Sequence, residues 1–126
     1  MSKKNIAWCA GLFEGEGCVY VHYRERGYQR AYAVINMTDE DVIKDFHKTI
    51  GIGHIWGPYG DYRKKKDGGP RLPQWRWYST GEKALKFIDL IYPYMGKRRK
   101  KKMDEIRKEM EKYALQKYKS KKVSLG

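Results

Sequence analysis

Residues Cys9 to Gly17 read CAGLFEGEG, a stretch of small, apolar and acidic residues with three glycines or alanines in its first seven positions and a glycine at its end. The small and apolar residues from Asn5 to Phe13 predict a short helix, which Gly15 and Gly17 are expected to end. Gly11 and Gly15 are four residues apart, so they lie on one face of that helix. The missing side chains would let a second helix approach this face closely.

Two alternating segments follow the helix, and alternation of apolar with polar residues is typical of half-buried strands. Cys18 to Arg26 and Gln29 to Met37 are the predicted strands, and they form a hairpin with a turn at Gly27. Thr38 is a predicted N-cap, and the acidic residues after it suit the positive end of a helix dipole. Gly51 is expected to end this helix.

A second hairpin and helix repeat the pattern. The predicted strands are Ile52 to Tyr59 and Arg71 to Ser79, Thr80 can cap the helix that follows, and Pro93 ends it. A further helix comes after Pro93. The order α-β-β-α-β-β-α, with this last helix added, predicts an α+β domain with one four-stranded antiparallel sheet and helices on one face.

The chain of 126 residues has 28 Lys and Arg against 15 Asp and Glu, a formal net charge of +13. Thirteen basic and four acidic residues lie between Tyr94 and Gly126, and six consecutive cations run from Lys97 to Lys102. Apolar residues at helical spacing follow the cations, so we expect one domain over residues 1–118 and a basic tail over 119–126. The charge favours an anionic partner, most simply nucleic acid.

Several protein classes are excluded by composition. No apolar run approaches the ~18 residues of a membrane span, and the N-terminus lacks the apolar region of a signal peptide. Cys9 and Cys18 match neither a zinc site nor a disulfide framework, and we expect both to pack as small apolar residues. The sequence therefore predicts a soluble protein of the cytoplasm or an organellar interior, with no membrane partner.

The outer face of the predicted sheet is basic, aromatic and rich in amides if the apolar face covers the helices. Such side chains bond to base edges and phosphates, although an outer face can also simply be solvated. We expect DNA contacts from this face and from neighbouring cations, namely Tyr20, His22, Arg24, Arg26, Arg30, Tyr32, Gln74, Arg76, Tyr78, Lys64, Lys65, Lys66 and Lys100.

The stretch CAGLFEGEG resembles the LAGLIDADG signature of the homing endonucleases. The matching residues are Ala10, Gly11, Leu12, Glu14, Glu16 and Gly17. The order of elements matches that family, and YPYMGKR at residues 92–98 resembles the segment that follows the last repeat helix. The resemblance spans roughly residues 5–118 and implies a LAGLIDADG-type fold whose sheet is a DNA-binding saddle.

The resemblance also implies how two copies would assemble. The motif occurs once in this chain, whereas the family pairs two motif helices side by side. The chain is therefore expected to form a homodimer about a two-fold axis, with Ala10, Gly11 and Gly15 at the interface.

By the same resemblance, Glu16 is the acid that ligates Mg²⁺, an ion that prefers oxygen ligands. Glu14 is expected to be a helix-end residue that bonds locally. A cation close to the scissile phosphate is also implied, with Lys97 and Arg98 as the candidates. Lys97 is favoured for any proton exchange, because arginine hardly deprotonates. Asn36 matches the residue that orients the attacking water.

Together with these residues, the resemblance implies a Mg²⁺-dependent endonuclease that makes double-strand cuts in a long, roughly palindromic site in double-stranded DNA. Two alternatives remain open. One is an RNA maturase or a non-catalytic, sequence-specific nucleic-acid binder on the same fold. The other is a basic protein that coats nucleic acid, whose affinity would depend steeply on salt and show no sequence preference.

Overall fold

The computed structural model describes residues 4–23, 27–60 and 72–125. Its first α-β-β unit begins with a helix, Ile6–Glu16 (α1), which passes without a loop into a strand, Gly17–Tyr23 (β1). The partner strand is Gln29–Met37 (β2), and the helix Glu40–Ile50 (α2) follows it. Gly51 ends α2 in the left-handed conformation, with φ of 71°, as its sequence position predicts.

The second unit repeats this order with strands His54–Tyr59 (β3) and Gln74–Thr80 (β4) and the helix Gly81–Ile91 (α3). A 3₁₀ turn over Tyr92–Tyr94 then leads to a long helix, Lys97–Leu125 (α4). Helix α4 continues into residues 119–125, part of the segment predicted to be a basic tail.

The four strands form one antiparallel sheet in the order β1-β2-β4-β3. Each predicted hairpin is therefore present, and the two hairpins join through β2 and β4. The predicted α+β fold class is confirmed, and so are the bounds of β2.

The core lies between the helices and the inner face of the sheet. Its centre is an aromatic cluster in which Trp77 packs at 4.7 Å, between ring centroids, from both Phe46 and Phe87. The indole Nε1 of Trp77 donates to the carbonyl oxygen of Ile52 at 2.9 Å, so its one polar group is satisfied. This cluster holds helices from both units against the sheet.

The two cysteines differ in their surroundings. Cys9 is fully buried in the core, as predicted, and burial raises the pKa of its thiol to about 11. The prediction for Cys18 was wrong, because this residue is exposed and faces away from the helices, opposite Val34.

Some predicted boundaries also differ. Helix α1 continues through Gly15 to Glu16, since a glycine in a helix costs only about 1 kcal/mol, less than tertiary packing can supply. The N-cap of α2 is Asp39 rather than Thr38. Thr80 is the N-cap of α3, but its side chain makes no capping hydrogen bond.

Candidate nucleic-acid interface and carboxylate site

One face of the sheet carries no helix from the described residues, and its side chains alternate with the buried ones. Val19, Ala33 and Trp77 point into the core, whereas their neighbours Tyr20, Tyr32 and Tyr78 point outward. No Asp or Glu occurs in β1 to β4.

The outward side of the sheet is therefore positively charged and aromatic, with no acidic side chain among its strands. We refer to it as the outer face. Its described members are Cys18, Tyr20, His22, Arg30, Tyr32, Val34, Asn36, His54, Trp56, Tyr59, Gln74, Arg76, Tyr78 and Thr80.

A hydrogen-bonded group lies at one end of the outer face. The side-chain oxygen of Asn36 accepts from the Tyr59 hydroxyl at 2.6 Å and from Arg76 Nε at 2.8 Å. The Arg76 guanidinium also lies over the Tyr59 ring, 5.4 Å from its centroid, and the Tyr59 hydroxyl is 3.2 Å from Gln74 Oε1. These contacts hold the Arg76 side chain in one orientation on the surface.

Glu16 lies at the same end of the sheet, as the last residue of α1. Gly17 at the start of β1 pairs with Ile35 on β2. Glu16 precedes Gly17 and Asn36 follows Ile35, so both residues lie next to this pair. A Cβ at Gly17 would lie 2.3 Å from the Phe13 ring, so only glycine lets the helix turn into the strand here. Glu16 is exposed and makes no hydrogen bond or ion pair with any described residue.

The start of α4 is fastened to the end of α1 by Arg99. Its Nε and Nη2 donate to the carbonyl oxygen of Glu14 at 3.1 and 2.9 Å, and its guanidinium lies 5.4 Å from the centroid of the Phe13 ring. The Glu14 carboxylate accepts from the Gly96 backbone N–H at 3.3 Å and lies 3.7 Å from Arg99 Nε. A cation is favoured at this negative end of the α1 dipole.

A cleft of roughly 360 Å³ opens beside this junction. It is lined by the first residues of β1 and by cations of α4, namely Gly17, Cys18, Val19, Arg98, Arg99 and Lys102. The cleft therefore places positive charge next to the strand that begins immediately after Glu16. A phosphate group in it would face two exposed cationic side chains, those of Arg98 and Lys102.

The fold agrees with that of known DNA-cutting proteins. The homing endonuclease I-CvuI, solved in complex with its target in the presence of calcium, is 22% identical, with a TM-score of 0.51. The match covers 72% of this chain and 56% of I-CvuI. The LAGLIDADG meganuclease I-AabMI, solved bound to uncleaved DNA, is 14% identical over 80% of this chain and 34% of its own, with a TM-score of 0.61.

The chain has the fold of the LAGLIDADG homing endonucleases. A third such structure, the LAGLIDADG meganuclease I-CpaMI bound to uncleaved DNA, gives 15% identity and a TM-score of 0.55 over 73% of this chain and 30% of its own. The chain thus spans about half the length of I-CvuI and about a third of the other two. No protein-family model matches the sequence, and neither does any curated protein.

Within this LAGLIDADG fold, the predicted interface residues of α1 separate into two groups. Ala10 is 1% exposed and belongs to the core of its own subunit, so it is not available at the surface, contrary to the prediction. Gly11 and Gly15 are exposed, and a Cβ added to either would meet no described atom within 4 Å. Packing within the subunit therefore gives no reason for glycine at these two positions.

The predicted cations also differ in placement. Arg98 lines the cleft beside β1, whereas Lys97 is exposed at the first position of α4 and is not part of the lining. Lys100 lies with its ammonium 5.4 Å from the centroid of the Tyr92 ring. The structure thus brings Arg98, rather than Lys97, to the strand that follows Glu16.

The predicted DNA contacts within β1, β2 and β4 lie on the outer face of the LAGLIDADG sheet. Tyr20 pairs with Tyr32 and His22 with Arg30, while Gln74, Arg76 and Tyr78 lie on β4. Burial raises the pKa of the Tyr20 phenol, although Arg76 acts in the opposite direction. The predicted contacts at Arg24, Arg26, Lys64, Lys65 and Lys66 lie outside the described residues.

Sequence reasoning missed several residues of the site. Trp56 and Tyr59 both belong to the outer face because a bulge shifts the register between them, from Trp56 opposite Arg76 to Tyr59 opposite Gln74. The sequence signal was the Gly-Pro pair between them, which interrupts the alternation. Arg99 was missed within the run of cations, although it lies one helical turn before the buried Met103.

The Glu16 carboxylate could supply oxygen ligands to a metal ion, because it is exposed and makes no hydrogen bond or ion pair with a described residue. Oxygen is the ligand atom that Mg²⁺ prefers, so the donor fits the ion. Within the described part of the chain, no group of three or more His, Cys, Asp or Glu residues could hold a metal. Further ligands would have to come from backbone, substrate, water or a second subunit.

No helix in the described ranges combines the length and the apolar character that a bilayer crossing requires.

Proposed function

We propose that this protein is a site-specific DNA endonuclease that acts as a homodimer and needs Mg²⁺. The observation that carries the proposal is the position of Glu16. This unpaired carboxylate lies where the glycine face of α1, the outer face of the sheet and the cationic cleft of α4 meet. The solved proteins of the same fold were studied with DNA, and I-CvuI was solved with calcium and with magnesium.

The proposed DNA complex has one sheet of each subunit in the major groove of each half-site. The groove is wide enough for a two-stranded β-ribbon, and its base edges present the donors and acceptors that Arg76, Gln74 and Asn36 can match. Because the two subunits are related by a two-fold axis, the site is expected to be long and roughly palindromic. Each subunit would cut one strand.

The geometry supports the following proposed roles at the cut. Glu16 would hold Mg²⁺, with a backbone carbonyl near the end of α1 as a further oxygen ligand. When bound, Mg²⁺ supplies polarisation of a phosphoryl oxygen and activation of water. Arg98 and Lys102 would stabilise the negative charge that develops on the phosphate, and Arg99 would hold their helix in place.

Two predicted roles remain proposals. Lys97 can exchange a proton with water and Arg98 cannot, so Lys97 would have to reach the site from the exposed first turn of α4. Asn36 would orient water through its amide nitrogen, since Tyr59 and Arg76 occupy its oxygen.

The test is cleavage of a randomised DNA library with Mg²⁺, beside a Ca²⁺ control. Glu16→Gln keeps the size of the side chain but removes the charge, and it should abolish cutting with DNA binding changed by less than about threefold. Glu14→Gln is the matched control, because Glu14 is engaged with Gly96 and Arg99 and should leave cutting in place.

Each outcome has a clear meaning. A near-palindromic cut site that disappears with Glu16→Gln and with Ca²⁺ supports the enzyme, the dimer and the metal. Normal cutting by Glu16→Gln would refute the assigned carboxylate. Tight binding to a defined sequence without cutting would favour the non-catalytic binder, and binding that is steeply salt-dependent without sequence preference would favour the coat protein.

A further inference from the structure

A depression lies in the middle of the outer face. Its volume is roughly 350 Å³, and its lining consists of Tyr20, Tyr32, Val34, Trp56, Arg76 and Tyr78. Val34 is 6% exposed and forms the floor, while four aromatic side chains from all four strands form the walls. We call this feature the aromatic depression.

The rings around the aromatic depression are held by their neighbours and remain open to solvent. Tyr20 and Tyr32 stack with their centroids 5.3 Å apart and their planes 4° apart. On the opposite side, Trp56 stacks on Tyr59 at 4.6 Å and is still 54% exposed. The structure thus holds a large indole at the surface, where a solvated sheet face has no need of one.

The polar groups of the aromatic depression are available to a ligand. Arg76 uses its Nε on Asn36, and its two terminal nitrogens make no hydrogen bond within the described ranges. The hydroxyls of Tyr20, Tyr32 and Tyr78 likewise have no partner among the described residues. A ligand that presents both a flat aromatic face and polar edges would match this lining.

Paired bases in a duplex do not present such a face. Their π surfaces are covered by the neighbouring base pairs, and the major groove exposes their edges, which Arg, Asn and Gln read. Aromatic side chains instead stack on bases that have left the helical stack, often beside an arginine. Nucleic acid is also the partner that the charge of +13 favours.

We infer that the aromatic depression binds one unpaired nucleobase of a single-stranded nucleic acid. Trp56 stacks on the base, and Arg76 and the tyrosine hydroxyls bond to its edges or to the adjacent phosphate and sugar. The volume lies at the lower end of the range for small-ligand sites, as a single base requires. Binding of the base does not require Glu16, so this inference is tested independently of the proposed cleavage.

The test measures the binding of fluorescein-labelled ten-nucleotide probes, with EDTA present to prevent cutting. The probes are oligo(U), oligo(dT) and a duplex of unrelated sequence. Trp56→Leu removes the aromatic surface, Trp56→Phe retains a smaller one, and Tyr94→Leu is the control, since Tyr94 is 53% exposed and lies outside the sheet.

The Trp56→Leu variant is expected to bind the single-stranded probes about 5- to 150-fold more weakly, the range that one lost base stack produces. Its affinity for the duplex should change by less than about threefold, Trp56→Phe should recover most of the single-strand affinity, and Tyr94→Leu should match the unmodified protein. A preference for oligo(U) over oligo(dT), or the reverse, then identifies RNA or DNA as the source of the base.

Two results would overturn the inference. If Trp56→Leu weakens duplex and single-strand binding equally, Trp56 is a general contact of the outer face. If neither changes while circular dichroism shows the native fold, the aromatic depression takes no base. The single strand should also be displaced by excess duplex, because both occupy the outer face, and failure to compete would place the single strand elsewhere.

Discussion

Gly11 offers a test in which stability and assembly change in opposite directions. It lies inside α1, is exposed, and would have nothing within 4 Å of an added Cβ. In a subunit alone, Gly11→Ala should therefore raise the free energy of unfolding by about 0.5–1 kcal/mol, because alanine loses less backbone entropy in a helix.

The same methyl group has the opposite effect if α1 pairs with its copy. Overfilling a closely packed contact typically costs about 1–3 kcal/mol, which corresponds to a dimer dissociation constant about 5- to 150-fold higher. The dissociation constant is measured by sedimentation velocity over a dilution series. Unfolding by urea, at protein concentrations below that constant, gives the stability of the subunit.

Lys86→Ala is the control, since Lys86 is exposed on α3 and is not part of the glycine face of α1. It should change neither dimerisation nor stability by more than about 0.5 kcal/mol. A Gly11→Ala protein that is more stable and dimerises as tightly as before would refute the reasoning. The glycine would then not serve a close approach between helices.

Two further predictions concern stability. Arg99→Met should lower the free energy of unfolding by about 2–3 kcal/mol in urea titrations, because it removes two charged hydrogen bonds to the Glu14 carbonyl. The control Lys101→Met, on the exposed side of α4, should have almost no effect. Equal effects of the two substitutions would show that Arg99 does not fasten α4 to α1. Burial raises the pKa of Cys9 from 9.0 to about 11. The contribution of the buried thiol to the free energy of unfolding is therefore fully present below pH 9 and is lost as the pH rises towards 11. The unmodified protein should therefore lose roughly 2 kcal/mol more than Cys9→Ala between pH 8 and pH 11, and identical pH profiles would contradict this account.

The order of elements could be predicted from the sequence because local patterns and tertiary packing agree there. The alternation in Gln29–Met37 matches the burial of β2 almost residue by residue, and the strand bounds follow. In this strand the same residues satisfy backbone geometry and bury the core.

Sequence patterns are insufficient where a tertiary contact decides the outcome. Val34 alternates onto the outer face, yet the surrounding rings bury it to 6% exposure, which no pattern within β2 indicates. Ala10 is small enough for either an interface or a core, and only the packing of α1 on the other helices separates the two. Trp56 and Tyr59 share a face through a bulge, so a strict period of two misplaces one of them.

The passage from α1 into β1 without a loop has a consequence for how a target would be measured. A strand rises about 3.3–3.4 Å per residue, close to the 3.4 Å between successive nucleotides of a DNA strand. Only every second residue of β1 faces outward, so the side chains that follow Glu16 on the outer face, those of Cys18, Tyr20 and His22, are about 6.6–6.8 Å apart, close to two base pairs. An insertion at Gly17 would shift these side chains along a bound DNA and would also turn the outward ones towards the core.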